Sequence, residues 1–283
     1  MIIDCKKISE DVIGNLVEKV RILNINNIFP ILAVVLVGDI FSSRIYVNSK
    51  KKACEKLGIG FQEYAFPDTV TEPELCDFIQ KLNCNKNITG ILVQLPLPNH
   101  IDKNRVCKFI DPKKDVDGFA PENVYNLYEN RDGLYACTAQ GILEIFKSHK
   151  IDLTGKNCVI INRSSIVGKP VAMMMLHENS TVTICHSKTN NLQNLCINAD
   201  ILITGVGKPK FISQNMVKEN AIVIDVGISR TEDNKVCGDV DFENVAPKCS
   251  YITPVPGGVG LLTVAMLMKN VVKAAKIQHN LQI

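Results

Sequence analysis

The chain has 283 residues, 46% of them hydrophobic and 22% charged, and its 32 basic and 29 acidic side chains leave a formal charge of +3. At roughly 100–200 residues per domain this is one large domain or two ordinary ones, with a core that needs no metal or disulfide staple. The near balance of charge argues against a dedicated nucleic-acid binder and leaves room for an anionic small molecule. The 11 cysteines run from Cys5 to Cys249 without a C-x-x-C pair, and the five histidines are scattered. They read as reduced thiols, not as a zinc site or a disulfide framework, so no metal is expected. The opening Met1-Ile2-Ile3-Asp4-Cys5-Lys6-Lys7 has no leader character, and the longest apolar run, Ile31 to Val37, is far short of a membrane span. A cytoplasmic protein with no membrane partner is expected.

Apolar runs alternate with helical patterns along the chain. Ile31–Val37 predicts a strand buried on both faces, closed by Gly38-Asp39. A helix follows from about Ser42 to Leu57, a strand over Phe61–Phe66, a helix over Thr71–Leu82 and a strand over Gly90–Leu95, stopped by Pro96 and Pro98. This β-α-β-α-β order is the mark of a parallel sheet covered by helices. After a helix over Ala139–Lys150, a second series begins, with strands at Cys158–Ile161, Thr181–Cys185, Ile201–Thr204 and Ile222–Val226. Their starts recur about every twenty residues, a doubly wound spacing. Helices fall near Gly168–His177 and Leu192–Asn198, and a last helix over Thr263–Gln278. The fold class is α/β in two lobes. The domain junction falls near the helix over Ala139–Lys150.

Several residues stand out chemically. At about 100° per residue, Tyr46, Lys50, Ala53 and Leu57 share one stripe, while Lys51 and Lys52 point elsewhere. Lys50 is either a partly buried ammonium of lowered pKa, suited to proton transfer, or a lysine lying along apolar surface. Gln94 closes a buried strand at its carboxyl end, where open α/β sheets bind ligands, or is an ordinary loop amide. In Asp111-Pro112-Lys113-Lys114-Asp115-Val116-Asp117-Gly118 the D-x-D-G fragment lacks the rest of a calcium loop. Its acids either make a turn or offer a carboxylate to a guanidine-like ligand edge.

The loop Asn162-Arg163-Ser164-Ser165-Ile166-Val167-Gly168 joins strand to helix and suits phosphate binding, although one glycine stands where the dinucleotide fingerprint has three. The next strand ends at Cys185-His186-Ser187-Lys188 with no acid for a ribose hydroxyl. Arg163 and Ser187, with His186 or Lys188, either hold a 2′-phosphate, which favours NADP over NAD, or stand on a solvated loop. Thr253-Pro254-Val255-Pro256-Gly257-Gly258-Val259-Gly260 combines fixed and permissive backbone, a rigid turn able to wall a flat ligand.

In this order, Tyr46-Val47-Asn48-Ser49-Lys50, Gly90 to Pro98, Lys114 to Phe119, Arg163-Ser164 with Ile166-Val167-Gly168, Cys185 to Thr189, Asp225 to Ile228, Gly238 to Asp241 and Ile252 to Gly260 resemble the bifunctional methylenetetrahydrofolate dehydrogenase/methenyltetrahydrofolate cyclohydrolase family. The resemblance implies oxidation of methylenetetrahydrofolate by NADP⁺ and hydrolysis of the methenyl product to formyltetrahydrofolate. It implies that Lys50 is the main catalytic lysine, oriented by Gln94 and Tyr46. It implies that Tyr46 stacks on the folate, that Asp117 anchors the pterin, and that Pro256, Gly257 and Gly258 border the substrate. Asn162, Arg163, Ser164 and Ser187 then serve the cofactor, with Ile228 at its nicotinamide end. The resemblance also implies an N-terminal catalytic, folate-binding domain over 1–138, joined by a C-terminal helix over 263–283, beside a Rossmann-like NADP-binding domain over 139–262, with the active cleft between them. The partners it implies are tetrahydrofolate derivatives and a second copy of the chain.

The chain departs from the family pattern at Asn162, where glycine is usual; the backbone there is expected to approach the cofactor less closely, while Asn tolerates the left-handed region better than most residues, so that the loop shape can survive. It departs also at Leu261-Leu262, at Ala136 and Ala139, and at Ile40-Phe41. These motivate an alternative, a catalytically weakened folate- or nucleotide-binding homologue. A short-chain dehydrogenase shares the Y-x-x-x-K pair but places its nucleotide loop before that pair, the reverse of the order here.

Overall fold

A computed structural model describes residues 1–231 and 233–281. Two compact units divide the chain: Asp11–Cys137 with Val264–Ile283, and Met1–Glu10 with Thr138–Thr263.

In the first unit, helix α1 (Cys5–Ile25) leads into strand β1 (Ile31–Val37), followed by α2 (Phe41–Leu57), β2 (Gly60–Phe66), α3 (Glu72–Cys84) and β3 (Gly90–Val93). Two short helices, α4 (Lys103–Lys108) and α5 (Pro121–Tyr128), complete it. The sheet is parallel in the order β2-β1-β3, with Val35 opposite both Tyr64 and Val93. Central β1 is buried from Leu32 to Val37, as its uninterrupted apolar run requires. Strand β3 ends earlier than expected. The Gln94 N–H still donates to the Val35 carbonyl at 2.8 Å, but Pro96 has no N–H to continue the ladder.

Local chemistry sets the helix ends. Thr71 and Glu74 form a reciprocal capping box at the start of α3, with Pro73 in the first turn. Gly58 ends α2 in the left-handed region at φ +71°, which costs a residue without a Cβ little.

In the second unit, α6 (Cys137–Ser148) is followed by β4 (Asn157–Ile161), α7 (Gly168–His177), β5 (Thr181–Cys185), α8 (Leu192–Ile197), β6 (Ile201–Thr204) and β7 (Ile222–Asp225). A small antiparallel hairpin, β8 (Ser229–Arg230) with β9 (Val236–Cys237), comes next, then α9 (Phe242–Val245) and β10 (Tyr251–Ile252). The parallel sheet runs β10-β7-β6-β4-β5. Strand direction of travel reverses at β4, so the crevice beyond the carboxyl ends of β4 and β6 is its topological switch point. The last helix, α10 (Val259–His279), passes from this unit back to the first. There Ala265 to Ala275 pack with Val12, Leu16, Val20 and Leu23 of α1 and with β1 residues Leu32 and Val34.

Candidate functional site

In the first unit the α2 stripe turns inward as its spacing predicts. Lys50 is only 8% exposed, while Lys51 and Lys52 face solvent. Its Nζ donates to Gln94 Oε1 at 2.6 Å, and Gln94, also 8% exposed, donates from Nε2 to the Leu95 carbonyl at 2.7 Å. Gln94 is thereby oriented with its oxygen toward the lysine. Tyr46 stands one turn earlier on the helix with its ring partly open, and burial pushes its phenol pKa up, keeping the hydroxyl protonated.

The segment 111–118 divides its charged residues between two tasks. Lys114 is buried and donates to the Leu82, Asn83 and Asn85 carbonyls at the end of α3, closing that helix. Asp115 accepts from the Gly118 and Ala120 N–H groups and from Asn123, and burial pushes its carboxyl up to about 6. The Ile91 N–H donates to the Lys114 carbonyl, tying the segment to β3. Gly118 lies at φ +77°, and a Cβ there would meet the Tyr135 carbonyl carbon at 2.3 Å. So fixed, the segment leaves Asp117 beside Lys50. Burial raises the Asp117 carboxyl and the Lys50 charge lowers it. Burial correspondingly drives the Lys50 ammonium below the ordinary lysine range, with Asp117 and Cys137 pulling it back up.

Cys137, at the start of α6, belongs to this cluster, and no spacing in the sequence pointed to it. Its thiol donates to the Val116 carbonyl at 3.3 Å, and burial next to Asp117 holds its pKa well above the usual thiol range. Asn270 of α10 donates to the Val116 and Tyr135 carbonyls at 2.8 Å, clamping the peptides on either side of the acid and the thiol. These contacts join residues far apart in sequence, which is why motif reading missed them.

In the second unit, the Ile161–Cys185 register sets the loop after β4 beside the loop after β5. Arg163, Ser187 and Lys188 are exposed on these neighbouring loops. His186 is turned into its own loop: its Nδ1 accepts from the Lys188 N–H at 3.1 Å, and its N–H donates to Thr189. Ser164 Oγ accepts from the Val167 N–H at 3.1 Å and the Gly168 N–H at 3.5 Å, shaping the approach to α7. At Gly168 a Cβ would meet the Asn162 carbonyl oxygen at 2.0 Å, so the loop closes tightly on the helix start. Exposed cations and a hydroxyl above a tight strand-to-helix turn fit a phosphate-bearing dinucleotide.

Asn162 has a negative φ, so the tolerance of Asn for the left-handed region is not called on. Its side chain acts instead. Oδ1 accepts from the Ser164 N–H at 2.7 Å, and Nδ2 donates to the Gly205 carbonyl across the switch point. Ile228 is exposed beside Gly227. In the turn before α10, Pro256 and Gly257 are exposed and Gly258 is buried, where a Cβ would meet the Pro254 carbonyl oxygen at 2.2 Å. A groove lined by Asp152, Lys156, Asp200 and Lys218 lies at the amino ends of the same strands, away from these loops. Among the described residues no His, Cys, Asp and Glu cluster could hold a metal ion, and no helix is long and apolar enough to cross a membrane.

Residues 3–117 match the tetrahydrofolate dehydrogenase/cyclohydrolase catalytic domain, and residues 136–279 match the NAD(P)-binding domain of the same family. The chain belongs to the tetrahydrofolate dehydrogenase/cyclohydrolase family. It is 51% identical to the bifunctional protein FolD of Agathobacter rectalis over 97% of this chain and 99% of that one. The crystal structure of bifunctional FolD from Campylobacter jejuni superposes with a TM-score of 0.96 at 46% identity, covering 98% of this chain and 99% of that chain. The Trypanosoma brucei family member, solved with NADP and an inhibitor, gives a TM-score of 0.94 at 32% identity and 99% coverage of both chains. The expected two-domain α/β fold, one catalytic and one Rossmann-like, is what the family has.

Proposed function

We propose that Lys50 is the group on which both activities of this bifunctional enzyme turn: NADP-dependent oxidation of methylenetetrahydrofolate and hydrolysis of the methenyl product to formyltetrahydrofolate. The observation that carries the proposal is the buried Lys50–Gln94 hydrogen bond at 2.6 Å, with Asp117 beside it. Burial lowers the pKa of a lysine, so it gives up its proton more readily than a solvated one and is better suited to proton transfer. Unprotonated, Lys50 accepts a proton from the water attacking the methenyl carbon. Protonated, it returns that proton to the nitrogen that leaves as the ring opens. Gln94 holds the amine on line, Asp117 takes the donor edge of the pterin, and Tyr46 offers its ring to the folate.

Arg163, Ser187 and Lys188 would hold the phosphates of NADP, with Ser164 and Asn162 shaping the loop and Ile228 against the nicotinamide. NADP supplies, when bound, the acceptor for the hydride that methylenetetrahydrofolate gives up. Pro256, Gly257 and Gly258 present backbone to the substrate. The catalytic domain comprises 1–138 with 263–283, apart from Met1–Glu10, which group with the second unit, and the cofactor domain 139–262. The working protein is a cytoplasmic homodimer. The test is Lys50→Met, which should abolish cyclohydrolase activity in a protein of unchanged circular dichroism. Full hydrolysis of the methenyl compound by that variant would sink the assignment.

A further inference from the structure

Two buried acids of the second unit have no part in the chemistry above. Asp239 is fully buried and accepts four hydrogen bonds, from the Val206, Gly207 and Lys208 N–H groups at 2.5, 2.9 and 3.0 Å and from the Thr204 hydroxyl at 3.0 Å. Asp225 accepts from the Gly227 N–H at 2.8 Å and the Val240 N–H at 2.9 Å. The acids interlock with each other's glycines. A Cβ on Gly227 would meet the Asp239 carboxyl at 2.3 Å, and one on Gly238 would meet Asp225 Oδ2 at 2.0 Å. The pair thus binds the segment after β6 to the turn after β7.

Burying a carboxylate is costly unless donors surround it, and an apolar plug of the same size would fasten two loops at lower cost. A carboxylate, unlike an apolar side chain, gathers three successive N–H groups on its two oxygens, Val206 on Oδ2 and Gly207 and Lys208 on Oδ1. A planar trans peptide carries its carbonyl opposite its N–H. With the N–H groups of residues 206–208 turned in to Asp239, the carbonyls of Gly205, Val206 and Gly207 turn away from it. The first is taken by Asn162. Those of Val206 and Gly207 lie on a segment partly open to solvent, beside the loop after β4 through the Ile161–Thr204 register.

We infer that Asp239 is a positioning residue for the cofactor: it fixes Val206–Lys208 so that the Val206 and Gly207 carbonyls accept hydrogen bonds from the hydroxyl and amide donors of bound NADP. The inference rests on the assignment of the cofactor to these carboxyl-end loops.

Calorimetric titration of the full chain with NADP⁺, without folate, tests it. Asp239→Asn turns an amide donor on N–H groups and should weaken NADP⁺ binding about tenfold, while cyclohydrolase turnover measured without NADP⁺ stays within twofold. Thr204→Val keeps the carboxylate, removes one donor, and should weaken binding two- to fivefold; it decides the matter if Asp239→Asn does not fold. Binding within twofold of the parent protein, or equal loss of binding and cyclohydrolase turnover, overturns the inference. Arg163→Ala is titrated alongside. If it weakens NADP⁺ binding while both other variants do not, only this inference fails; if all three bind as the parent does, the cofactor assignment falls with it.

Discussion

Lys50 Nζ and Gln94 Oε1 meet at 2.6 Å between helix α2 and the carboxyl end of edge strand β3, 44 residues apart in sequence. The bond gives a buried amine a fixed direction. Truncating Gln94 leaves that amine buried and unpartnered, at a cost of about 1–3 kcal/mol. Gln94→Ala should therefore lower cyclohydrolase kcat by one to two orders of magnitude, with a smaller change in the KM for the methenyl substrate. Gln94→Glu should fall as well, because a carboxylate at this place raises the Lys50 pKa and holds the amine protonated. Steady-state hydrolysis of the methenyl compound by both variants checks this.

The pH profile separates the neighbours of Lys50. Burial lowers its pKa, and the Asp117 carboxylate opposes that fall by favouring the charged ammonium. Asp117→Asn removes the opposing charge, so the Lys50 pKa falls further. The limb of the cyclohydrolase pH–rate profile that reports Lys50 should shift to lower pH. A shift to higher pH, or none, would show that another group governs that limb.

Arg163 and Ser187 are exposed on adjoining loops at the carboxyl ends of β4 and β5, and no acid stands there to take a ribose 2′-hydroxyl. Arg163→Ala should raise the KM for NADP⁺ at least tenfold and change the KM for NAD⁺, which has no 2′-phosphate, far less. Ser187→Ala should act in the same direction and less strongly. Dehydrogenase assays with the two nucleotides side by side give the ratio directly.

Strands β1, β3 and β6 were legible as short, largely apolar runs buried along most of their length, as at Ile31–Val37 and Ile201–Thr204, whereas β2 and β5 are half-exposed edge strands and β8, β9 and β10, two residues each, carried no such signal. Helix α1 escaped, although Ile8, Val12, Leu16, Val20 and Leu23 keep helical spacing and Asp4 accepts from the Lys7 N–H at its start. The Lys50 stripe and Gln94 were legible because each depends on its own element. Cys137 and Asn270 were not, since their roles exist only where α6, α10 and the 116–118 turn converge. The side-chain role of Asn162 was hidden for a related reason: it joins Ser164 to Gly205, 43 residues away, which the loop sequence alone does not show. Asp225 and Asp239 carried a readable sign, an acid close to a glycine in each of two motifs, but its meaning requires knowing that each acid packs on the other motif's glycine.

Thiol chemistry gives an independent check on packing. Cys84 is exposed, whereas Cys54 and Cys158 are buried with thiols pushed up to about 12, and Cys137 lies well above the usual thiol range. The thiolate is the reacting form, so burial slows alkylation twice over, by excluding the reagent and by suppressing ionisation. Iodoacetamide on the native protein at pH 8, followed by peptide mass spectrometry, should modify Cys84 first and leave Cys54, Cys137 and Cys158 unmodified until denaturant is added. Early modification of Cys137 would mean that the Lys50 cluster is open to solvent, and the lowered Lys50 pKa would lose its cause.

Gly238→Ala tests the interlocked acids through stability. The added methyl would lie 2.0 Å from Asp225 Oδ2 and 2.9 Å from Val255 Cγ2, so both neighbours must move. Overpacking of this kind costs about 1–3 kcal/mol. For a protein of this size each kcal/mol lowers Tm by about 2–4 °C. Gly207→Ala offers a contrast: nothing lies within 4 Å of its Cβ position, and its strain comes only from a φ of +72°. Gly238→Ala should lower Tm more than Gly207→Ala does in a thermal melt without ligands. The reverse order would show that the Asp225–Gly238 contact relaxes freely, and that the two acids do not hold these loops in one arrangement.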